Sequence, residues 1–477
     1  MVRYLELHIH AVSKIRTPWG PVTHIGMWGM SGFGDGAWSY TACKCIHTHS
    51  TFRVENPGAR IAPHYYVRAA RGWVVAFLAR SCYTAPMSGD KKQDLGNIQR
   101  IDERDTVFSR EALEPGTGAE VEYHTRFPER KEVDEKLRQF IEVKLGGRTP
   151  RAVLDNAVYK SHFVTASALA LPDFVDGDPG ERKIDLAGGK EGSFKLKHFA
   201  LGLGASQVGI GPLNPNWVYS HRGCRPFFDE SYVNPPFFKG IPEGYQGAQY
   251  GDPIELDHKN AIVMAFAQDP ALIQTGPSVG VDFEVGRAYA ASVLASVQLA
   301  QFIRALGFRA RAHHLRNSLV ILPPVAVDAG IGELARCGYV VSRTLGANFR
   351  LSCVTTDMPL LYSHPAELGM QDFCSKCLKC ARTCPAQAIP MGDKTEVNGT
   401  LRWKLDAEKC LLYWGKSGYT CGICQVICPW SKPQTPFHRA VASTAVNVPM
   451  LRSLLVKADD WVYGAKYKRR PIPDWLE

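Results

Sequence analysis

Hydrophobic and polar positions follow several different rhythms along the chain. From Glu129 to Val143 the apolar residues Val133, Leu137, Phe140 and Ile141, with Leu145 beyond, fall at helical spacing and predict a helix. Lys195 to Ala205 predicts a second helix, ending at Gly202 or Gly204. Val208-Gly209-Ile210-Gly211 and the unbroken apolar run Ala261 to Phe266 predict buried strands, and Ser318–Leu322, Tyr339–Ser342 and Phe349–Thr355 predict three more. Between them, Val285 to Leu306 carries Val293, Leu294, Val297, Leu299, Ile303 and Leu306 and predicts a long helix with a buried face. Ile331 to Cys337 predicts a shorter helix, stopped by Gly338. Strands alternating with helices argue for an α/β or α+β layered domain. Residues 1–100 show little periodicity: loop is expected around Trp28, and Val74–Ala79 reads as a strand or a helical turn. The Pro- and Phe-rich stretch 222–250 is too apolar for disorder and suits a loop over a pocket.

Composition adds bounds. The chain has 477 residues, 45% hydrophobic and 21% charged, which is globular and long enough for two or three units. The net charge of +10 is moderate and compatible with an acidic electron donor or a membrane surface. No basic run with interleaved aromatics occurs, so nucleic acid is not expected as a partner. No apolar run reaches the roughly 18 residues that span a bilayer. Neither a secretory leader nor a twin-arginine signal is legible, so a cytoplasmic location is expected. The outer face of the cytoplasmic membrane is the alternative if an export signal was removed. The expected organisation is an N-terminal unit at 1–150, a core at 151–370, a cysteine-rich domain at 371–435 and a tail at 436–477 that packs on the core.

Eight of the fourteen cysteines lie between Phe373 and Trp430. Cys374, Cys377, Cys380 and Cys384-Pro385 read C-x2-C-x2-C-x3-C-P, the spacing of bacterial two-cluster ferredoxins. A second run, Cys421, Cys424 and Cys428-Pro429, keeps the short gaps, but ten residues separate its leading cysteine, Cys410, from Cys421. In that crossing pattern Cys374, Cys377, Cys380 and Cys428 hold one [4Fe-4S] cluster, and Cys384, Cys410, Cys421 and Cys424 hold the other. Tyr413 to Tyr419 are expected to fill the space that the longer gap opens beside the second cluster. Zinc sites use four ligands in paired CxxC units rather than eight with two CP endings. The remaining cysteines, Cys43, Cys45, Cys82, Cys224, Cys337 and Cys353, lack disulfide spacing and read as free thiols in a reducing compartment. Clusters move electrons only, and ~370 residues precede them, so the larger domain should bind what they reduce. No G-x-G-x-x-G follows a strand and no C-x-x-C-H is present, which leaves a flavin, a corrinoid or a pure electron carrier.

The residues also carry a family likeness. Asp102-Glu103-Arg104-Asp105-Thr106 with Pro115-Gly116-Thr117, Leu203-Gly204-Ala205 to Ile210, Trp217-Val218-Tyr219-Ser220, His258-Lys259 to Ala265, and Glu284-Val285-Gly286 with Tyr289 occur in order. Pro323-Pro324-Val325-Ala326 to Gly332-Glu333-Leu334, Arg350-Leu351, Thr355 to Leu360, both cysteine runs and Asp460-Trp461 to Trp475 complete the set. Over roughly residues 100–477 the chain resembles the corrinoid- and iron–sulfur-dependent reductive dehalogenases. The resemblance implies an α+β fold: a nitroreductase-like core that binds a base-off cobamide, followed by a C-terminal bacterial two-cluster ferredoxin-like domain. It implies that cob(I)amide removes a carbon-bound halogen from an organohalide, that the clusters deliver the electrons and that a tyrosine donates the proton. By position Tyr289 is that tyrosine, with Arg350 as the cation that stabilises its phenolate and Asn317 as a polar neighbour. Asn348 stands where many relatives have an arginine. Trp217, Tyr219, His258, Pro324 and Gly332 fall at the cofactor. No D-x-H-x-x-G run exists, so histidine ligation of cobalt is not implied. An external donor (a ferredoxin, a flavodoxin or a reductase) is expected, and a homodimer is compatible with the resemblance. Two other readings share the cluster motif: an epoxyqueuosine reductase-like tRNA-modifying enzyme, and a non-catalytic electron-transfer protein with two [4Fe-4S] clusters. A reductase of the first kind has a helical-repeat tail; this chain has 49 residues beyond Cys428.

Overall fold

The computed structural model describes residues 98–146, 150–223 except 185 and 187, and 250–477, together with a two-residue strand pair, Arg16–Thr17 and Gly20–Pro21. Expectations for Trp28, Cys43, Cys45, Val74–Ala79, Cys82, Cys224 and most of the Pro- and Phe-rich stretch fall outside these residues. The chain divides into two compact units, Met1–Ser88 and Gly89–Glu477. The larger unit carries everything described below.

Its centre is a four-stranded antiparallel sheet. The strands are β1 (Gln207–Pro212), β2 (Asn260–Ala267), β3 (Ala310–His313) and β4 (Phe349–Thr356), in spatial order β1-β2-β4-β3. Register is set by pairs such as Gly209 with Val263, Ile262 with Val354, and Ala310 with Thr356. Every side chain of β2 but the last is buried, because both faces of the sheet are covered. Ile262, Met264 and Phe266 meet Leu299 and Ile303 of the long helix α4 (Val279–Ala305) and Leu196 and Ala200 of α3 (Gly188–Gly202). Ala261, Val263 and Ala265 face the other way, toward Val325, Ala326 and Ala329 on and just beyond the short helix α5 (Leu322–Asp328). Outside this sandwich lie α1 (Lys131–Gly146) and α2 (Pro150–Ala168), the latter against α4. The predicted helices at 129–143, 195–205 and 285–306 correspond to α1, α3 and α4, and α4 begins six residues before its expected start.

Two sequence expectations are overturned between residues 310 and 341. Ser318–Leu322 is not a strand of the sheet. Its extended residues make only a local bridge, Val320 with Val218, while β3 forms at Ala310–His313. Pro323 and Pro324 explain the break: they occupy the first turn of α5, where a missing N–H costs nothing, and they would leave gaps in a ladder. Ile331–Cys337 is not a helix either. Glu333–Leu334 pairs with Val340–Val341 in a hairpin, and Gly338, at φ +82°, takes the left-handed turn between them. The hairpin is tied down by Glu333. Its carboxylate accepts from the backbone N–H groups of Leu368, Gly369 (3.0 Å) and Met370 (2.8 Å), which cap α6 (Met370–Cys377).

The cysteine runs fold onto this scaffold through α6, α7 (Lys379–Thr383), α8 (Ala407–Ser417) and the short α9 (Ile423–Val426). The tail forms α10 (Pro436–Asn447) and α11 (Arg452–Tyr463). Lys379, 1% exposed, binds Asp459 and Asp460 (3.2 Å) and so joins α7 to α11. Among the described residues no helix is long and apolar enough to cross a membrane.

Candidate active site and thiol clusters

The ten-residue gap between Cys410 and Cys421 is filled by α8. Asp406 caps its start by accepting from the Lys409 N–H (3.0 Å), and Gly418 ends it at φ +72°. Leu411 is buried against Leu137 of α1, which fixes the helix in place. Tyr413 and Trp414 follow Cys410 by three and four residues and therefore share its face. Together with Cys384, Cys410, Cys421 and Cys424 they border a cavity of about 190 Å³. Tyr419 turns away, and its hydroxyl binds Asp155.

The eight thiols form two adjoining neighbourhoods that meet at Cys380 and Cys424. Cys428 lies within electrostatic reach of Cys374, Cys377 and Cys380. Cys410 lies within reach of Cys384 and Cys421, and Cys424 within reach of Cys410 and Cys421. Cys374, Cys377 and Cys428 are buried in the apolar core of α6, α7 and α11, and Cys380, Cys384 and Cys424 pack against it. Arg336 clamps it: its guanidinium donates to the carbonyls of Cys374 (3.1 Å), Pro390 (2.8 Å) and Gly392 (2.9 Å) and lies 4.3 Å over the Trp403 ring. The second neighbourhood is bound to the sheet domain. Thr420 N–H donates to Asp282 of α4 at 3.0 Å, and a Cβ on Gly276 would lie 2.0 Å from the Cys421 carbonyl oxygen.

A larger cavity of about 710 Å³ adjoins the second neighbourhood. Tyr289 of α4, Phe349 to Leu351 of β4, Tyr159 and Phe163 of α2, and the segment Val320–Pro323 contribute to its walls. Phe108, Gly338, Tyr339 and Trp414 line both cavities, so one layer of side chains divides the large cavity from the second set of thiols. Arg350 stands beside that layer. Its guanidinium carbon is 5.3 Å from the Tyr289 ring and 5.7 Å from the Tyr339 ring. It reaches the Gln425 side chain at 3.5 Å, next to Cys424, and its Nε is buried with no hydrogen-bond partner. Burial works against its charge, but the adjacent Tyr289 and Tyr339 more than offset that, and the net shift is upward. Burial pushes the Tyr339 phenol far up.

The other residues singled out from sequence divide between wall and interior. Tyr219 lines the large cavity. Asn317 is fully buried behind it: its amide donates to the Ala170 carbonyl and accepts from Arg311, both at 2.8 Å. Asn317 thus holds the turn that brings its neighbours Arg316 and Ser318 to the wall. His258 shares Thr355 Oγ1 with His313, each at 2.8 Å, inside the sheet. Burial depresses the affinity of both imidazoles for a proton. Trp217 donates its indole N–H to Asp328 at 2.6 Å, Pro324 starts α5, and at Gly332 a Cβ would lie 2.1 Å from the Val341 carbonyl oxygen. None of these four is among the described residues that line the large cavity. Tyr339, Trp414, Arg316 and the α2 aromatics were not legible as site residues, because no local pattern marks them.

The chemistry of this arrangement meets its counterpart in known proteins. Residues 373–432 match the 4Fe-4S dicluster domain. The tetrachloroethene reductive dehalogenase of Sulfurospirillum multivorans is 33% identical over 296 residues, which are 57% of this chain and 56% of that protein. The corresponding enzyme of Desulfitobacterium hafniense is 31% identical over 298 residues, 57% of this chain and 54% of that protein. Over just over half of its length the chain is similar to the reductive dehalogenases. A solved reductive dehalogenase described as performing B12-dependent dehalogenation is 25% identical at a TM-score of 0.56, covering 77% of this chain and 47% of that one. The α+β core with a C-terminal dicluster domain is therefore a fold this family shares. The chain spans just over half the length of the curated reductive dehalogenases it matches.

Proposed function

We propose that the chain catalyses reductive dehalogenation of an organohalide, with a base-off cobamide in the large cavity and two [4Fe-4S] clusters as its electron supply. The observation that carries this reading is the shared wall: the cavity holding Tyr289 and Arg350 is one side-chain layer from Cys384, Cys410, Cys421 and Cys424. Those four thiolates hold the cluster nearer the cavity, and Cys374, Cys377, Cys380 and Cys428 hold the farther one. Tyr219 and the apolar segment Val320–Pro323 would hold the macrocycle; the volume of about 710 Å³ suits a large cofactor. Among the described residues His314 is the imidazole on that wall. Its ring nitrogens are engaged, Nε2 with the Leu169 carbonyl (3.3 Å) and Nδ1 with the Arg316 N–H (3.4 Å), so it offers no ligand to cobalt.

When bound, the cobamide supplies the reduced cobalt that takes the halogen from carbon. The overall change consumes two electrons and one proton and releases halide. Tyr289 gives the proton to the carbon that loses the halogen. Arg350, 5.3 Å from the ring, stabilises the phenolate left behind, and its unspent Nε–H points to a role at an anion. An external ferredoxin, flavodoxin or reductase supplies the electrons in a reducing, cytoplasmic compartment.

The test is anaerobic loading of the full chain with iron, sulfide and cobalamin, then metal analysis and a halide-release screen over chlorinated and brominated compounds with reduced viologen. Halide release that requires cobalt is expected. Protein that takes up iron but no corrinoid would remove the enzyme reading and leave an electron carrier.

A further inference from the structure

A ninth thiol stands among the eight. Cys337 lies at the turn of the Glu333–Leu334 and Val340–Val341 hairpin and is 2% exposed. It packs in the same apolar cluster as Cys374, Cys377 and Cys428. It also lines the cavity bordered by Cys384, Cys410, Cys421 and Cys424. One cysteine from each set, Cys380 and Cys424, also packs against that buried cluster. Two cubanes use eight thiolates, so Cys337 is not required as a ligand, and the chemistry above gives it no task.

We propose that Cys337 is a hydrogen-bond donor shared by the two clusters, a positioning residue that eases electron passage from the farther cluster to the nearer one. A thiol has a single proton to donate. The ligand sulfur of whichever cluster has just gained an electron is the better acceptor. Rotation about one side-chain torsion carries the S–H from Cys380 to Cys424 as the electron moves. Hydrogen bonds to cluster sulfurs help set the reduction potential, and a dry interior strengthens them. A donor that follows the charge stabilises each reduced cluster in turn.

This inference rests on the two-cluster reading, and its test keeps the two apart. The full chain and its Cys337→Ala and Cys337→Ser variants are reconstituted, analysed for iron, and titrated with dithionite and mediators while the clusters are followed by electron paramagnetic resonance. Cys337→Ala is expected to keep both clusters and to shift their potentials to more negative values. Cys337→Ser retains a donor and is expected to hold potentials at or above those of the unmodified chain. An Ala variant with both clusters and unchanged potentials overturns the proposal, as does a Ser variant shifted as far negative as Ala. If the Ala variant loses a cluster, the Ser variant decides by the same criterion. An unmodified chain that never loads two clusters overturns the reading beneath it instead.

Discussion

Tyr289 and Arg350 show what a single residue contributes at this site. Tyr289 sits in an Ala-rich stretch of α4 and also packs against the buried cluster of Ile273, Val281 and Val285, so part of its surface is core. Tyr289→Phe keeps that packing and removes the proton. It should leave iron and cobalt content unchanged and lower the dehalogenation rate by about two to four orders of magnitude, the usual range for lost general acid catalysis. Near-normal turnover in a steady-state halide assay would remove Tyr289 from the proton-donor role. His314 makes a second prediction. Burial lowers its pKa from 6.5 to about 3, so the imidazole is neutral in the folded chain. The unfolded chain takes up a proton below about 6.5 and the folded chain does not until about 3. Stability therefore falls as pH drops through that window, by about 1.4 kcal/mol per pH unit for this group. Urea midpoints measured between neutral and mildly acidic pH should decline, and His314→Gln should flatten the slope.

At the scale of elements, the decisive contacts are close approaches of backbone. β1 carries Gly209 and Gly211, where a Cβ would lie 2.2 Å from the Ala329 carbonyl oxygen and 2.6 Å from that of Asp328. The end of α5 thus rests directly on the strand. Gly209→Ala should destabilise the fold by about 1–3 kcal/mol, the cost of forcing an extra methyl into a packed core. An unchanged thermal midpoint would show that α5 can move aside freely. The hairpin at 333–341 shows why periodicity misled. Its apolar residues mimic a helix, but Glu333 is committed to capping α6 and Arg336 to the cysteine turn, and both need the extended arrangement. Local pattern could not weigh those distant partners against helical propensity.

For the whole molecule, the position of the thiol sets relative to the cavity is the main consequence. The cavity, the shared wall of Gly338, Tyr339 and Trp414, the second thiol set, Cys337 and the first thiol set succeed one another. On the proposed division of ligands, Cys410→Ala would remove one ligand of the nearer cluster. The folded variant should keep the farther cluster and its resonance signal but lose halide release, because the cavity is cut off from its supply. Loss of both cluster signals in protein with an unchanged circular dichroism spectrum would contradict the division of ligands.

Much of this was legible in the chain alone. Eight cysteines at short fixed gaps specify cluster chemistry because a cubane's ligands must come from tight turns, and tight turns are local in sequence. The strands β1, β2 and β4 and the helix α4 were legible for a related reason: burial on both faces writes itself as an unbroken apolar run or a helical stripe. What only the tertiary structure decided is adjacency between segments far apart in the chain. Tyr289 and Arg350 meet because α4 packs across the sheet that holds β4. Asn317 stands behind the wall while Arg316 lines it, a difference of one residue in a turn held by Ala170 and Arg311. Which thiol set faces the cavity, and that Cys337 lies between the two, follow from how the hairpin, α8 and α4 pack, and packing between elements leaves no period in a sequence to read.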